Sequence, residues 1–135
     1  PLAAAKVREL AVFMELYLEL VARELYAEAF FGGKVSDATK ARVRKQLERN
    51  LPAFGRLARF APYVAGAQFT LADASGFATV SVVALAAKSV FGEDLMAAAG
   101  IDWKAYVKLL GARASVQRVN AERQRDLDAA AAART

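Results

Sequence analysis

The chain has 135 residues, 56% of them hydrophobic, which is one domain's length with enough apolar material for a sizeable core. It contains no Cys and no His, so thiolate nucleophiles, disulfides, Cys/His zinc sites and any Ser–His or Cys–His pair are excluded, and no metal centre is expected. The formal net charge of +5 is local: Lys34, Lys40, Arg42, Arg44, Lys45, Arg49, Arg56 and Arg59 outnumber Asp37 and Glu48, and without aromatic interleaving this reads as a solvated helix face rather than a nucleic-acid patch.

Three Pro and eight Gly in the whole chain, with abundant Ala and only short β-branched runs, favour an all-α domain. Residues 2–30 read as one long helix. Leu10, Met14, Tyr17, Val21 and Leu25 recur at three- and four-residue spacing; Phe13, Leu16, Leu20 and Phe31 populate a neighbouring stripe, and Leu18 lies apart from both. Two stripes suggest burial on two sides, one against the domain itself and one against another domain or subunit. Gly32 and Gly33 end the helix. Ser36 caps a second helix to about Phe60, with its period carried by Val43, Leu47, Leu51, Phe54 and Leu57. Pro52 lies inside this helix and is expected to kink it near Glu48, whose carbonyl loses its partner. Pro62 and Gly66 mark the next loop.

A third helix runs from Thr70 to about Val90. Its uncharged stretch, Ala74 to Ala87, is 14 residues, short of the roughly 20 that cross a bilayer. It is therefore expected to be a buried helix of a soluble protein with no membrane partner. Ser75, Thr79 and Ser81 are expected to return their hydroxyls to backbone carbonyls. Gly92, Gly100 and Asp102 punctuate a loop before a short helix from Trp103 to Leu110. Ser115 is expected to cap a final helix with Val116 and Val119 as its apolar side, fraying over the alanines at 129–133. The whole is a bundle of about five helices. Pro1 shows no leader pattern, and the lack of Cys fits a reducing compartment, so a cytoplasmic location is expected.

The most specific local signal is Tyr63-Val64-Ala65-Gly66-Ala67-Gln68-Phe69-Thr70-Leu71-Ala72-Asp73. Thr70 is a good N-cap and Asp73 follows at the third helical position, so hydroxyl and carboxylate can each take a backbone amide of the other's residue. Phe69 precedes the cap, where an apolar side chain often packs on the first turn. In isolation Asp73 looks like a catalytic carboxylate. Its place at the start of an uncharged helix makes it a structural cap instead, and no catalytic residue is assigned.

This stretch resembles the Tyr-x-x-Gly-x-x-Phe-[Ser/Thr]-x-Ala-Asp segment in the C-terminal helical domain of cytosolic glutathione transferases. The resemblance extends to the order of helices and to the closing Arg113-Ala114-Ser115-Val116, where Ala114 replaces the family's usual Pro. Ala22-Arg23-Glu24-Leu25-Tyr26 is similar to the Ala-x-Glu-Leu-His of bacterial, beta-class members. The resemblance implies that residues 1–135 are the helical domain alone, without the N-terminal thioredoxin-like domain that binds glutathione and activates its thiol. It implies a substrate-binding wall at Phe13, Met14, Tyr17 and Tyr26 for a small hydrophobic electrophile. It implies that Arg23 and Glu24 reach toward glutathione across a homodimer. The acidic first helix (Glu9, Glu15, Glu19, Glu24, Glu28) against the basic second would help set that dimer's register. No cofactor is expected on this domain alone; glutathione is the co-substrate of the parent enzyme. Tyr26 where the family has His keeps a hydrogen-bonding tip but loses a group titrating near neutrality. Beside these stand plainer readings: Phe13, Met14 and Tyr17 as core, Tyr26 as a packing residue, Arg23 and Glu24 as solvated charges. The alternative function is a non-catalytic interaction or assembly module, since fold does not fix function.

Overall fold

The computed structural model describes residues 1–135. It is all-helical, with six helices: α1 over residues 2–31, α2 Asp37–Leu57, α3 Leu71–Phe91, α4 Leu95–Ala98, α5 Trp103–Gly111 and α6 Ala114–Ala132. Extended pairing is limited to one isolated bridge between Tyr63 and Gly66. The sixth helix is α4, a single turn in the stretch read as loop; Asp94 caps it by accepting from the Ala97 amide at 3.0 Å.

The long first helix is not uniform. Its middle, Met14–Glu19, is a π turn, and Arg23–Leu25 is a 3₁₀ turn. The Leu20 amide bonds back five residues to the Glu15 carbonyl, and the Tyr26 amide bonds back three to Arg23. The consequence is visible in burial. The core face consists of Leu10, Met14, Leu18, Ala22 and Leu25. On an α-helix of 3.6 residues per turn, each four-residue step drifts by about 40°, so three such steps would wander by about 120°. The wide π turn absorbs the drift and keeps Leu10 and Ala22 on one side. The stripe through Tyr17 and Val21 expected from a regular period is thus corrected: Leu18 is buried, and Tyr17 is 51% exposed. Gly32, at φ 72°, closes the helix in the left-handed region that its missing Cβ permits, and the Gly33 amide bonds back to the Ala27 carbonyl at 2.8 Å.

Ser36 caps α2 as expected, accepting from the Thr39 amide at 3.2 Å. The helix is continuous to Leu57 although Pro52, with no N–H, leaves the Glu48 carbonyl without its usual donor. Val43, Leu47, Leu51 and Phe54 face the core. The acidic and basic faces of α1 and α2 pair within this chain: Glu24 takes two bonds from Arg42 at 2.8 Å each, and Glu28 meets Lys40 at 2.9 Å. Of the other acidic residues on α1, Glu9 meets Lys6, Glu19 meets Arg23 and Glu15 accepts from Ser75. Each of the five α1 glutamates expected to help set an intermolecular register therefore has a partner within this chain.

By length and composition α3 could cross a membrane. Here it lies among the other helices, with Val80, Val83, Ala84, Ala86 and Ala87 in the main core cluster. Of Ser75, Thr79 and Ser81, only Thr79 returns its hydroxyl to a carbonyl, that of Ser75 at 2.9 Å; Ser75 itself donates to Glu15 at 3.1 Å, a tie between α3 and α1. The last helix starts two residues earlier than expected. Arg113, not Ser115, occupies the N-cap position, and no side chain caps it. Val116 is buried, Val119 is half exposed, and α6 continues to Ala132 with every residue from Ala121 onward exposed.

Candidate functional site

The residues expected to form the electrophile wall sit on α1 but do not share one environment. Met14 has no exposed surface and belongs to the core. The helical period already put it on one stripe with Leu10, and it stays on that face; its place in the wall was implied by the resemblance alone. Phe13 is half-buried, stacked 6.1 Å from Phe54 and tilted 5.1 Å from Tyr17. Tyr17 stands outward beside it, and Val12, Leu16 and Leu20 continue an exposed apolar strip along the helix. Tyr26 lies further on, its ring 5.3 Å from Phe30. Its hydroxyl donates to Glu19 Oε1 at 3.3 Å. Burial, with the adjacent Glu19 charge and hydrogen bond, pushes the Tyr26 phenol well above its ordinary range. It is therefore a neutral hydrogen-bond donor at physiological pH.

Arg23 and Glu24 point along separate exposed networks. Arg23 holds Glu19 through Nε at 3.1 Å and Nη2 at 2.6 Å. Glu24 is clamped by Arg42, whose hydrogen bonds lower its pKa. Neither touches the Phe13–Tyr17 pair through any of these bonds. A cleft of about 860 Å³ lies elsewhere, between the start of α1 and the 65–70 loop; Val7, Leu10, Leu57, Arg56, Arg59 and Gln68 line part of it.

The capping motif forms a tighter centre. Thr70 is extended, and the Asp73 carboxylate accepts from its amide at 2.9 Å while the Thr70 hydroxyl accepts from the Ala72 amide at 3.3 Å. Asp73 is fully buried. Its other oxygen takes the Val64 amide at 3.0 Å and the Tyr106 hydroxyl at 2.7 Å. One carboxylate therefore fixes the α3 start, the preceding loop and α5. Burial and the bond to Asp73 raise the Tyr106 pKa far above its usual value, so the phenol remains a donor. Gly76 makes room for this bond: a Cβ there would lie 2.5 Å from Tyr106 Oη. Phe69 stacks edge-on with Tyr63 at 5.9 Å, and the Arg113 guanidinium lies 4.1 Å above the Phe69 ring while donating to the Tyr63 hydroxyl at 3.2 Å. The motif's aromatic positions thereby anchor the α5–α6 junction through cation–π contact.

Tyr106 and Asn50 escaped the sequence reading because both act on partners 33 residues away. Gly76 did carry a signal. A glycine inside a helix costs about 1 kcal/mol relative to Ala, which usually means a packing reason.

The fold is the all-helical bundle that the resemblance implied, six helices and no strands around a capped and buried central helix. Over 132 residues the chain is 39% identical to a glutathione S-transferase of Pseudomonas putida strain F1, an alignment covering 96% of this chain and 58% of that protein. No protein-family model matches the chain. The chain is thus similar to that glutathione S-transferase over nearly its own whole length, and spans somewhat over half the length of that protein.

Proposed function

We propose that this chain is the helical part of a glutathione transferase, supplying the apolar wall against which a small hydrophobic electrophile is held for attack by the glutathione thiolate. The observation that carries the reading is the outward face of α1. Phe13 and Tyr17 stand side by side, and Val12, Leu16 and Leu20 extend an apolar strip that no helix of this chain covers. An uncovered strip beside aromatic rings suits a cleft wall or a subunit contact. A thioredoxin-like domain would form the thiolate, and this domain would bring the acceptor within reach of it. Tyr26, a neutral donor, would orient a polar group of the acceptor, and Arg23 and Glu24 would approach glutathione bound to a second copy in a homodimer. Such an enzyme would work in the cytoplasm. The related reading, an assembly module without catalysis, is favoured by the same strip if a partner protein covers it.

Two proteins separate these readings. The chain alone, given glutathione and an aryl halide, is expected to show only background conjugation. A chimera in which this chain replaces the matching segment of the P. putida protein is expected to conjugate, and Tyr17→Ala in that chimera is expected to raise the KM for the aryl halide several-fold. A folded, dimeric chimera with no activity would favour the assembly role. Activity well above background from the isolated chain would overturn both.

A further inference from the structure

The π turn in α1 raises the question of what holds it. A π turn is a strained alternative to the α-helix and concentrates at functional places. Here it decides which side chains of α1 face outward. Continued as a regular helix, the period would bring Tyr17 and Val21 onto the core face and turn Leu18 away, since 10, 14, 17, 21 and 25 share a side at 3.6 residues per turn. The structure has the other register, with Leu18 buried and Tyr17 exposed.

One buried polar side chain touches this turn. Asn50, only 8% exposed in the middle of α2, donates from Nδ2 to the Tyr17 carbonyl at 2.8 Å. Its neighbours in sequence on the α2 core face are Leu47, Leu51 and Phe54. An amide in that setting would be destabilising unless its hydrogen bond mattered. The bond can form only if the Tyr17 carbonyl is presented to α2, which is the geometry of the wide turn.

We propose that Asn50 is a positioning residue: by holding the Tyr17 carbonyl it locks the second half of α1 in the π register, and so presents Tyr17, Leu16 and Leu20 on the outer face. This rests on the proposed role of that face in electrophile binding for its functional meaning. The register itself is tested without any activity.

The natural absence of Cys makes the test clean. Single-cysteine variants Tyr17→Cys and Leu18→Cys are labelled with a maleimide in the native chain and in an Asn50→Leu background. With Asn50 present, the cysteine at 17 should react quickly and that at 18 at least ten-fold more slowly. With Asn50→Leu the order should reverse or converge, with 17 slowed and 18 accelerated. General loosening would accelerate both, and that result would overturn the proposal, as would unchanged rates at both positions.

A second variant guards against misfolding. Deleting Leu16 removes one residue from the wide turn. Leu18, Ala22 and Leu25 then fall on the core face of a regular helix. In that background Asn50→Leu should leave the labelling rates unchanged and the unfolding midpoint nearly so. If Asn50→Leu lowers the midpoint by as much with the deletion as without it, the amide is merely a packing element and the proposal fails. Should the register swap as expected while Asn50→Leu leaves the chimera's KM for the aryl halide unaltered, the positioning role would stand and the functional reading of the outer face would fall.

Discussion

Two of the buried polar residues of this molecule, Asp73 at the start of α3 and Asn50 in the middle of α2, solve the same problem by different means. Each satisfies backbone groups that the local helix leaves exposed to desolvation. Asp73 takes the Thr70 and Val64 amides, and Asn50 serves the Tyr17 carbonyl. Asp73 works first at short range, within a box closed over three residues, and only then reaches Tyr106. Asn50 works at long range alone. A local solution leaves a pattern in the sequence, whereas a tertiary one leaves a single polar residue on an apolar face. The difference also sets how each should fail: loss of Asp73 strips several donors at once, and loss of Asn50 frees one acceptor and a register.

The largest expected effect breaks the first centre. Asp73→Ala leaves the Val64 and Thr70 amides and the Tyr106 hydroxyl unpaired in the interior, and is expected to cost about 3 kcal/mol or more. A denaturant midpoint within error of the native chain would refute the assignment. Gly76→Ala comes next, at about 1–3 kcal/mol, because its methyl displaces Tyr106 from the carboxylate. The comparison is sharpened by a cycle: Tyr106→Phe should cost much less in the Gly76→Ala background than in the native one, and additive losses would show the two to be independent. Asn50→Ala is expected to cost about 2 kcal/mol, less than Asp73→Ala, by chemical denaturation. An effect equal to or larger than that of Asp73→Ala would overturn the contrast between the two centres.

A smaller effect is expected in acid. Asp94 loses some hydration to burial, but bonds from the Ala97 amide and the Trp103 indole outweigh this and hold its pKa below the ordinary value. A carboxylate with a depressed folded pKa stabilises the fold above its unfolded pKa, about 3.9, and the contribution disappears as pH falls through the folded value. Because Trp103 is the chain's one tryptophan and its Nε1 donates to Asp94 at 2.8 Å, its emission should change over that acid window, and Asp94→Ala should remove the change. An Asp94→Ala titration identical to the native one would assign it to another group. Least of all is expected from Arg42→Ala. The Arg42–Glu24 pair is well formed but exposed, and such pairs contribute little, so the thermal midpoint should not move measurably. A clear loss would mean that the α1–α2 charges fix the helix pair rather than decorate it.

Much of the architecture was legible because it is local chemistry. Ser36, Thr70 and Asp73 cap where short-range hydrogen bonding says they should, Gly32 stops α1 through its positive φ, and the uncharged run after Asp73 marked the core helix. The misreadings share a cause. Ser115 had the right chemistry for a cap, but Arg113 was already held by Phe69 and Tyr63, so α6 begins from that anchor. Of the residues named for the wall, Phe13 and Tyr17 stand together and Met14 lies in the core, while Tyr17, which the period put on the core face, stands outward. A helical period assumes a constant turn, and nothing in the order of apolar residues announces that the turn widens at Met14.

By itself the sequence determined the class of elements, their order and the cap that starts the central helix, because propensity, capping and hydrophobic period act within a few residues. Only the tertiary structure decided which face of α1 is core. The π turn is unfavourable locally and is repaid by contacts from α2 and α3, by Leu18 entering the core, and by an amide arriving from Asn50, 33 residues away. The same holds for Tyr106 and Gly76: a hydroxyl can be matched to a carboxylate, and a missing methyl explained, only once α5 has packed against α3.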